Sequence, residues 1–194
     1  SIPSVDIQHG SITNGHPAYA KLKPVPSDQI SIYPDVVFTW SDAELLVIGN
    51  DDANHIARRP IPISSAHPFN CSWRSGLIPG ASLADRVLKN ILKSHPGERN
   101  ILVSMQPKLC GPGPLKPLLT SMIETKNVCW WVRLHPNALG DKSYVVDLLS
   151  TYGITNYLVD ECTELPLTAV LSVVDLHVSH GSSTVIEALA AQVP

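Results

Sequence analysis

Short apolar runs alternate with amphipathic stretches along most of this chain, and this alternation predicts its secondary structure. Runs typical of buried strands occupy residues 2–7, 35–40, 100–105, 127–134, 154–159 and 176–178. Helical periodicity predicts helices at 42–47, 82–95, 115–126, 141–152 and 165–173, and a last helix beginning at 184. Strands that alternate with helices in this way predict an α/β protein whose parallel sheet is covered by helices on both faces.

The alternation is regular only in the second part of the chain, and this predicts two domains. Residues 50–80 combine an alternating Ile-Pro-Ile-Ser with further prolines and end on a glycine, a pattern that favours an interdomain linker. We therefore expect one domain and the linker at 1–76, and a second domain at 77–194. The first residues read as a strand already in progress and the last as a loop into another strand, so we expect both ends to be truncated.

Composition and charge exclude several classes of protein. A 44% hydrophobic content is ordinary for a globular protein with a real core. The net charge of −3 provides no basic field for a nucleic-acid backbone, so we expect no nucleic-acid polymer as partner. The longest apolar runs are interrupted by charges and are too short for a transmembrane segment.

The cysteines point to a reducing compartment. Cys71, Cys110, Cys129 and Cys162 are widely spaced, with no Cys-x-x-Cys pair and no histidine at zinc-finger spacing. This arrangement indicates neither a zinc site nor a disulfide framework. Free thiols in a cytoplasmic protein are the expectation.

The stretch from 175 to 194, DLHVSHGSSTVIEALAAQVP, predicts a strand, a polar turn and a helix start in close succession. Thr184 with Glu187 three residues later is a capping-box pattern that opens a helix. The hydroxyls of Ser182, Ser183 and Thr184 would gather where a helix start favours phosphate, and Gly181 would let the backbone approach closely. The alternative is an ordinary helix cap that binds nothing.

A second group of polar residues, VRLHPN, ends the strand predicted at 127–134. Arg133 is a fixed cation suited to phosphate, and His135 could donate a hydrogen bond to a phosphate oxygen or a leaving group. Pro136 holds the turn. The carboxyl ends of strands are where open α/β sheets bind ligands, although a His-Pro pair after a strand can also be a plain turn with a surface imidazole.

A third group, QHG, ends the first predicted strand. His9 followed by Gly10 places an imidazole where the backbone bends, a position suited to a general base. Gln8 precedes it and His16 lies in the long polar loop that follows. The alternative is a solvent-exposed histidine before a turn glycine.

Taken in order, QHG, RLHP and HGSSTVIEALAAQVP resemble glycosyltransferases of the GT-B type that build bacterial surface carbohydrates such as capsule and lipopolysaccharide. The His-Pro and Ser-Ser elements are similar to paired motifs of sialyl-, polysialyl- and Kdo-transferases, which bind the cytidine monophosphate part of the donor. The histidine-glycine element followed by Arg-x-His-Pro is similar to the teichoic-acid glycerophosphotransferases. The resemblance spans the chain and rests on three short motifs.

The resemblance implies roles for these residues and two Rossmann-like domains, acceptor-side at 1–76 and donor-binding at 77–194. It implies His9 and His135 as catalytic residues, with Gln8, Gly10 and His16 on the acceptor side. The residues implied in donor-phosphate binding are Arg133, His135, Pro136, Gly181, Ser182, Ser183, Thr184 and Glu187.

The resemblance also implies a substrate class. A nucleotide-sugar, with a CMP-linked one favoured, would be the donor, and a glycan or lipid-linked glycan the acceptor, at the inner face of the membrane. No Asp-x-Asp motif occurs, in keeping with the metal independence usual in this class, and no cofactor is expected. The acidic motif of several sialyltransferase families is not visible, since Asp160 and Glu161 lie in the wrong half. Alternatives are a nucleotide-sugar epimerase, a polyol-phosphate transferase and a non-catalytic assembly subunit.

One geometric prediction tests this interpretation. Because the motifs each follow a predicted strand directly, we expect Arg133, His135 and the turn at 182–184 at one edge of a single parallel sheet. We expect the two strands concerned to be neighbours, with His9 across a cleft on the other domain.

Overall fold

The computed structural model describes residues 2–8, 10, 12–14, 16, 19, 33–49, 60–78, 81–95, 99–106, 112–179 and 182–194. The chain divides into two compact units, Ser1–Leu77 and Ile78–Pro194. Within these described residues, each unit contains one sheet, and its strands are all parallel. Among the described residues, no helix combines the length and apolar character needed to cross a membrane.

The first unit is built on a three-stranded sheet in the order β1-β2-β3. Its elements are β1 (Val5–Ile7), β2 (Val36–Thr39), α1 (Asp42–Gly49), β3 (Ile61–Ser64) and α2 (Pro68–Arg74). The linker predicted over 50–80 is therefore wrong where it covers β3 and α2. Pro62 is tolerated within β3 because β3 is an edge strand. The His67 ring caps α2, since its Nδ1 accepts from the Asn70 amide at 3.3 Å.

The core of the first unit lies on one face of its sheet. Ile12 and Tyr19 from the connection between β1 and β2 pack with Val37 of β2 and Ile48 of α1. Right-handed crossovers between strands that follow each other in one direction put both connections on the same face. The opposite face, which we call the open face, bears four exposed apolar side chains. These are Val5, 55% exposed, Ile7, 56%, Ile61, 61%, and Ile63, 40%.

The second unit contains a four-stranded sheet and follows the predicted alternation. Its elements are α3 (Ala81–Ser94), β4 (Arg99–Ser104), α4 (Pro112–Glu124), β5 (Val128–Arg133), a 3-10 helix (Pro136–Asp141), α5 (Lys142–Thr151), β6 (Tyr157–Leu158), α6 (Asp160–Glu164), α7 (Leu167–Leu171), β7 (Leu176–Ser179) and α8 (Thr184–Ala190). The helix predicted at 165–173 is wrong at its start, because α7 begins only at Leu167. A separate helix, α6, ends just before Leu165. The proline at 166 keeps Leu165 extended, at φ −69° and ψ 149°.

The strand order of this sheet, β6-β5-β4-β7, reverses direction at β4. From β4 the chain moves outward through β5 to β6 and then returns to place β7 on the other side of β4. Helices α4 and α5 pack their apolar side chains on the face that carries Val103 and Val132. The opposite face carries Leu102 and Trp131, which are fully buried. The expected parallel sheet with helices on both faces is confirmed, and its topological switch point lies between β4 and β7.

Candidate functional site

Polar side chains form a row across the carboxyl edge of the second sheet. Ser104, the last residue of β4, is in register with Arg133 of β5 on one side and with Ser179 of β7 on the other. Residues in register point to the same face of a parallel sheet. The predicted shared edge for Arg133 and the turn at 182–184 is thus confirmed. The prediction that their strands are neighbours is wrong, because β4 lies between them.

Three side chains converge at the switch point, and we call Ser104, His177 and Thr184 the switch-point cluster. The Ser104 Oγ lies 2.9 Å from the His177 Nε2, and the Thr184 Oγ1 lies 3.4 Å from the same nitrogen. Ser104 is only 6% exposed. Burial lowers the pKa of His177, so its imidazole is neutral near pH 7. The cluster therefore places two hydroxyls around one neutral ring nitrogen.

Arg133 connects the end of β5 to α6 and to the residue that follows α6. Its Nη1 donates to the carbonyl oxygens of Cys162, at 2.5 Å, and Leu165, at 2.7 Å. Burial lowers the pKa of Arg133, which Cys162 and Glu187 oppose electrostatically. Within the part of the chain that the structure describes, Nη2 and Nε donate to no protein atom. Arg133 thus has a structural role and retains donors that an anion could use.

Glu187 lies on α8 and interacts electrostatically with Arg133. Burial raises the pKa of this carboxyl, and the attraction of Arg133 partly opposes that rise. The predicted capping box is wrong. Ser183, with helical angles of φ −64° and ψ −14° and no side-chain capping bond, precedes the helix, which has seven residues. The Thr184 hydroxyl contacts His177 instead, and the Thr184 amide donates to the Ser182 Oγ at 3.3 Å.

His135 and Pro136 shape the turn after β5. The His135 Nδ1 accepts from the Asn137 amide at 3.1 Å, and Pro136 opens the 3-10 helix. A neutral histidine that accepts through Nδ1 carries its hydrogen on Nε2, so His135 can donate outward. Gly181, the remaining predicted phosphate-binding residue, lies outside the described residues.

The residues predicted on the acceptor side belong to the first unit. Gln8, 5% exposed, ties the end of β1 to β2, because its Nε2 donates to the Gly10 carbonyl at 2.8 Å and its Oε1 accepts from the Trp40 amide at 2.7 Å. The His16 Nδ1 accepts from the Tyr19 amide at 3.3 Å, and the two rings stack with centroids 5.3 Å apart. His9 lies outside the described residues, so its catalytic role stays a prediction.

Ser104 and His177 were missed as site residues by the sequence interpretation. His177 reads as one member of a short buried strand, and Ser104 as part of the strand predicted at 100–105. A polar side chain at the end of an apolar run was the available signal. This signal indicates a site only when the strand order is known, because the strand order shows that β4 and β7 border the switch point.

Fold and site together define an α/β protein whose second unit is Rossmann-like, with a hydroxyl-rich cluster at its switch point. Comparison with protein families, curated proteins and solved structures finds no match. Among the described residues, no group of three or more His, Cys, Asp or Glu side chains is arranged to hold a metal ion.

Proposed function

We propose that this protein is a glycosyltransferase of the GT-B type, which transfers a sugar from a nucleotide-sugar donor to a growing surface glycan. The observation that carries the proposal is the switch-point cluster at the carboxyl edge of the second sheet. Open α/β sheets bind their ligands in the crevice outside the carboxyl ends of the strands, where the strand order reverses. The resemblance of the three motifs to surface-carbohydrate transferases supplies the class of reaction.

The chemistry of the edge suits a donor phosphate. When the sugar leaves, negative charge develops on the phosphate of the departing nucleotide, and donors fixed in advance stabilise that charge. Ser104 and Thr184 provide hydroxyls at the switch point, and Arg133 provides a cation in register with Ser104. The outward donor of His135 follows β5, whose carboxyl end lies at the same edge. These groups would bind the phosphate. The nucleotide base distinguishes one class of nucleotide-sugar donor from another.

Nucleotide binding is the first test. CMP, CDP and UDP are titrated into the protein, and the melting temperature and the heat of binding are measured. A nucleotide that binds the folded state stabilises it by about 2.7 kcal/mol at a hundredfold excess over Kd. The double variant Ser104→Ala, Thr184→Val should bind at least about tenfold more weakly. Ser121→Ala serves as the control, since that hydroxyl is exposed on α4 and bonds to the Pro117 carbonyl.

Transfer itself is the second test. With a radiolabelled nucleotide-sugar and a glycan acceptor, the proposal expects a labelled glycan and free nucleotide. Isomerisation of the donor without acceptor would identify an epimerase instead. If none of the nucleotides binds, or if the double variant binds as tightly as Ser121→Ala, the cluster is not a donor site.

A further inference from the structure

The two hydroxyls of the switch-point cluster share a single nitrogen. Ser104 and Thr184 come from different elements, β4 and α8, yet both oxygens lie against the His177 Nε2, at 2.9 Å and 3.4 Å. The backbone of His177 is held on both sides, because its amide donates to the Pro194 carbonyl at 2.8 Å and the residue is in register with Leu102 of β4. The hydrogen on that nitrogen therefore decides how both hydroxyls point.

A neutral imidazole carries one hydrogen and one lone pair. If Nε2 bears the hydrogen, it donates towards the two oxygens, and both hydroxyls keep their own hydrogens for a ligand. If Nε2 bears the lone pair, a hydroxyl that donates its hydrogen to it has only lone pairs left for the ligand. The first tautomer thus leaves two hydroxyl donors for a ligand, and the second leaves fewer.

A phosphate oxygen is an acceptor, and only the first of these arrangements leaves both hydroxyls free to donate to it. We propose that His177 is a positioning residue whose Nε2–H tautomer turns the hydroxyl hydrogens of Ser104 and Thr184 towards the donor phosphate. This inference rests on the proposed function, because it concerns the phosphate that the same cluster would bind. His177 does not itself touch the phosphate.

Two variants distinguish the effect of the hydrogen-bond donor at Nε2 from the effect of the size of the ring. His177→Gln puts an amide N–H near the position of Nε2, whereas His177→Leu fills similar space without a donor. Affinity for CMP, CDP and UDP is measured by calorimetry, and the melting temperature without nucleotide reports the structural cost of each change. We expect His177→Leu to lower affinity about tenfold or more and His177→Gln to stay within about threefold of the wild type. The melting temperatures of the two variants should be similar.

The tautomer is read directly from the ¹⁵N chemical shifts of the His177 ring in the nucleotide complex, which distinguish a protonated from an unprotonated ring nitrogen. A protonated Nε2 and a bare Nδ1 are expected. A bare Nε2 in the complex, or unchanged affinity in His177→Leu, would overturn the inference while leaving the proposed function standing. Failure of the wild type to bind any of the three nucleotides would remove both.

Discussion

Replacing Arg133 tests whether the main role of this residue is to stabilise the fold through its hydrogen bonds. Arg133→Met keeps most of the aliphatic stem but removes both Nη1 hydrogen bonds, leaving the Cys162 and Leu165 carbonyls without this partner. A hydrogen bond from a charged donor contributes about 1.5–3 kcal/mol to stability. Because Arg133 is only half-buried, each bond should lie near the lower end of that range. We expect Arg133→Met to lower the free energy of unfolding by about 3 kcal/mol.

Urea unfolding followed by tryptophan fluorescence measures this loss in the second unit. Two of the four tryptophans, Trp40 and Trp73, belong to the first unit, so all proteins compared carry phenylalanine at both positions. The remaining signal then comes from the tryptophans of β5. Arg133→Lys should lie between Arg133→Met and the wild type, since one ammonium keeps the charge but lacks the planar fork.

Arg99→Met is the matched control, because Arg99 is exposed at the opposite end of β4. Exposed substitutions of this kind usually change stability by less than about 0.5 kcal/mol. If Arg133→Met and Arg99→Met unfold with the same free energy, the two hydrogen bonds from Arg133 to the carbonyls do not stabilise the second unit. A large loss in Arg133→Met also means that nucleotide affinities of Arg133 variants require a correction for the folded fraction.

Two further predictions concern the second unit. Burial raises the pKa of Glu187, so the folded state binds this proton more tightly than the unfolded state, and wild-type stability falls as pH rises above the usual carboxyl value of about 4.3. The unfolding free energy of Glu187→Gln relative to the wild type should therefore increase from about pH 4 to about pH 7, and a difference independent of pH would contradict this. Gly153→Ala should cost about 1–2 kcal/mol because Gly153 has φ +69°, whereas Gly140→Ala, also in open space, should be nearly neutral. Equal melting temperatures for the two alanine variants would show that left-handed backbone is not the reason for the glycine at 153.

The fold of the second unit could be predicted because its strands are buried on both faces. β5 reads Val-Cys-Trp-Trp-Val before Arg133, an unbroken apolar run that only a covered central strand tolerates. β3 was missed because its four residues include a proline, and local sequence does not reveal that the strand lies at an edge. The local sequence pattern thus predicts the strands and helices themselves better than it predicts which strands lie next to each other in a sheet.

The candidate site was predicted in part for the same reason. Arg133 stands out as a cation after a strand, but its hydrogen bonds go to carbonyls about thirty positions further on, which no local pattern contains. Thr184 and Glu187 have the spacing of a capping box, yet the Thr184 hydroxyl lies against His177 and Glu187 interacts electrostatically with Arg133. His177 and Ser104 meet only because β7 returns beside β4, and strand order cannot be read from alternation alone.

The open face of the first sheet should tolerate sequence change, because its four exposed residues contribute little to folding. The described parts of the two connections pack on the other side, and Val5, Ile7, Ile61 and Ile63 lose only part of their contact with water when the unit folds. Hydrophobic stabilisation scales with the apolar area removed from water, so these four residues contribute less to folding than their chemistry suggests. They leave an exposed apolar patch on a parallel sheet, a class of sheet that nearly always has both faces covered. We therefore expect sequence change at these positions to alter the solubility of the unit more than its stability.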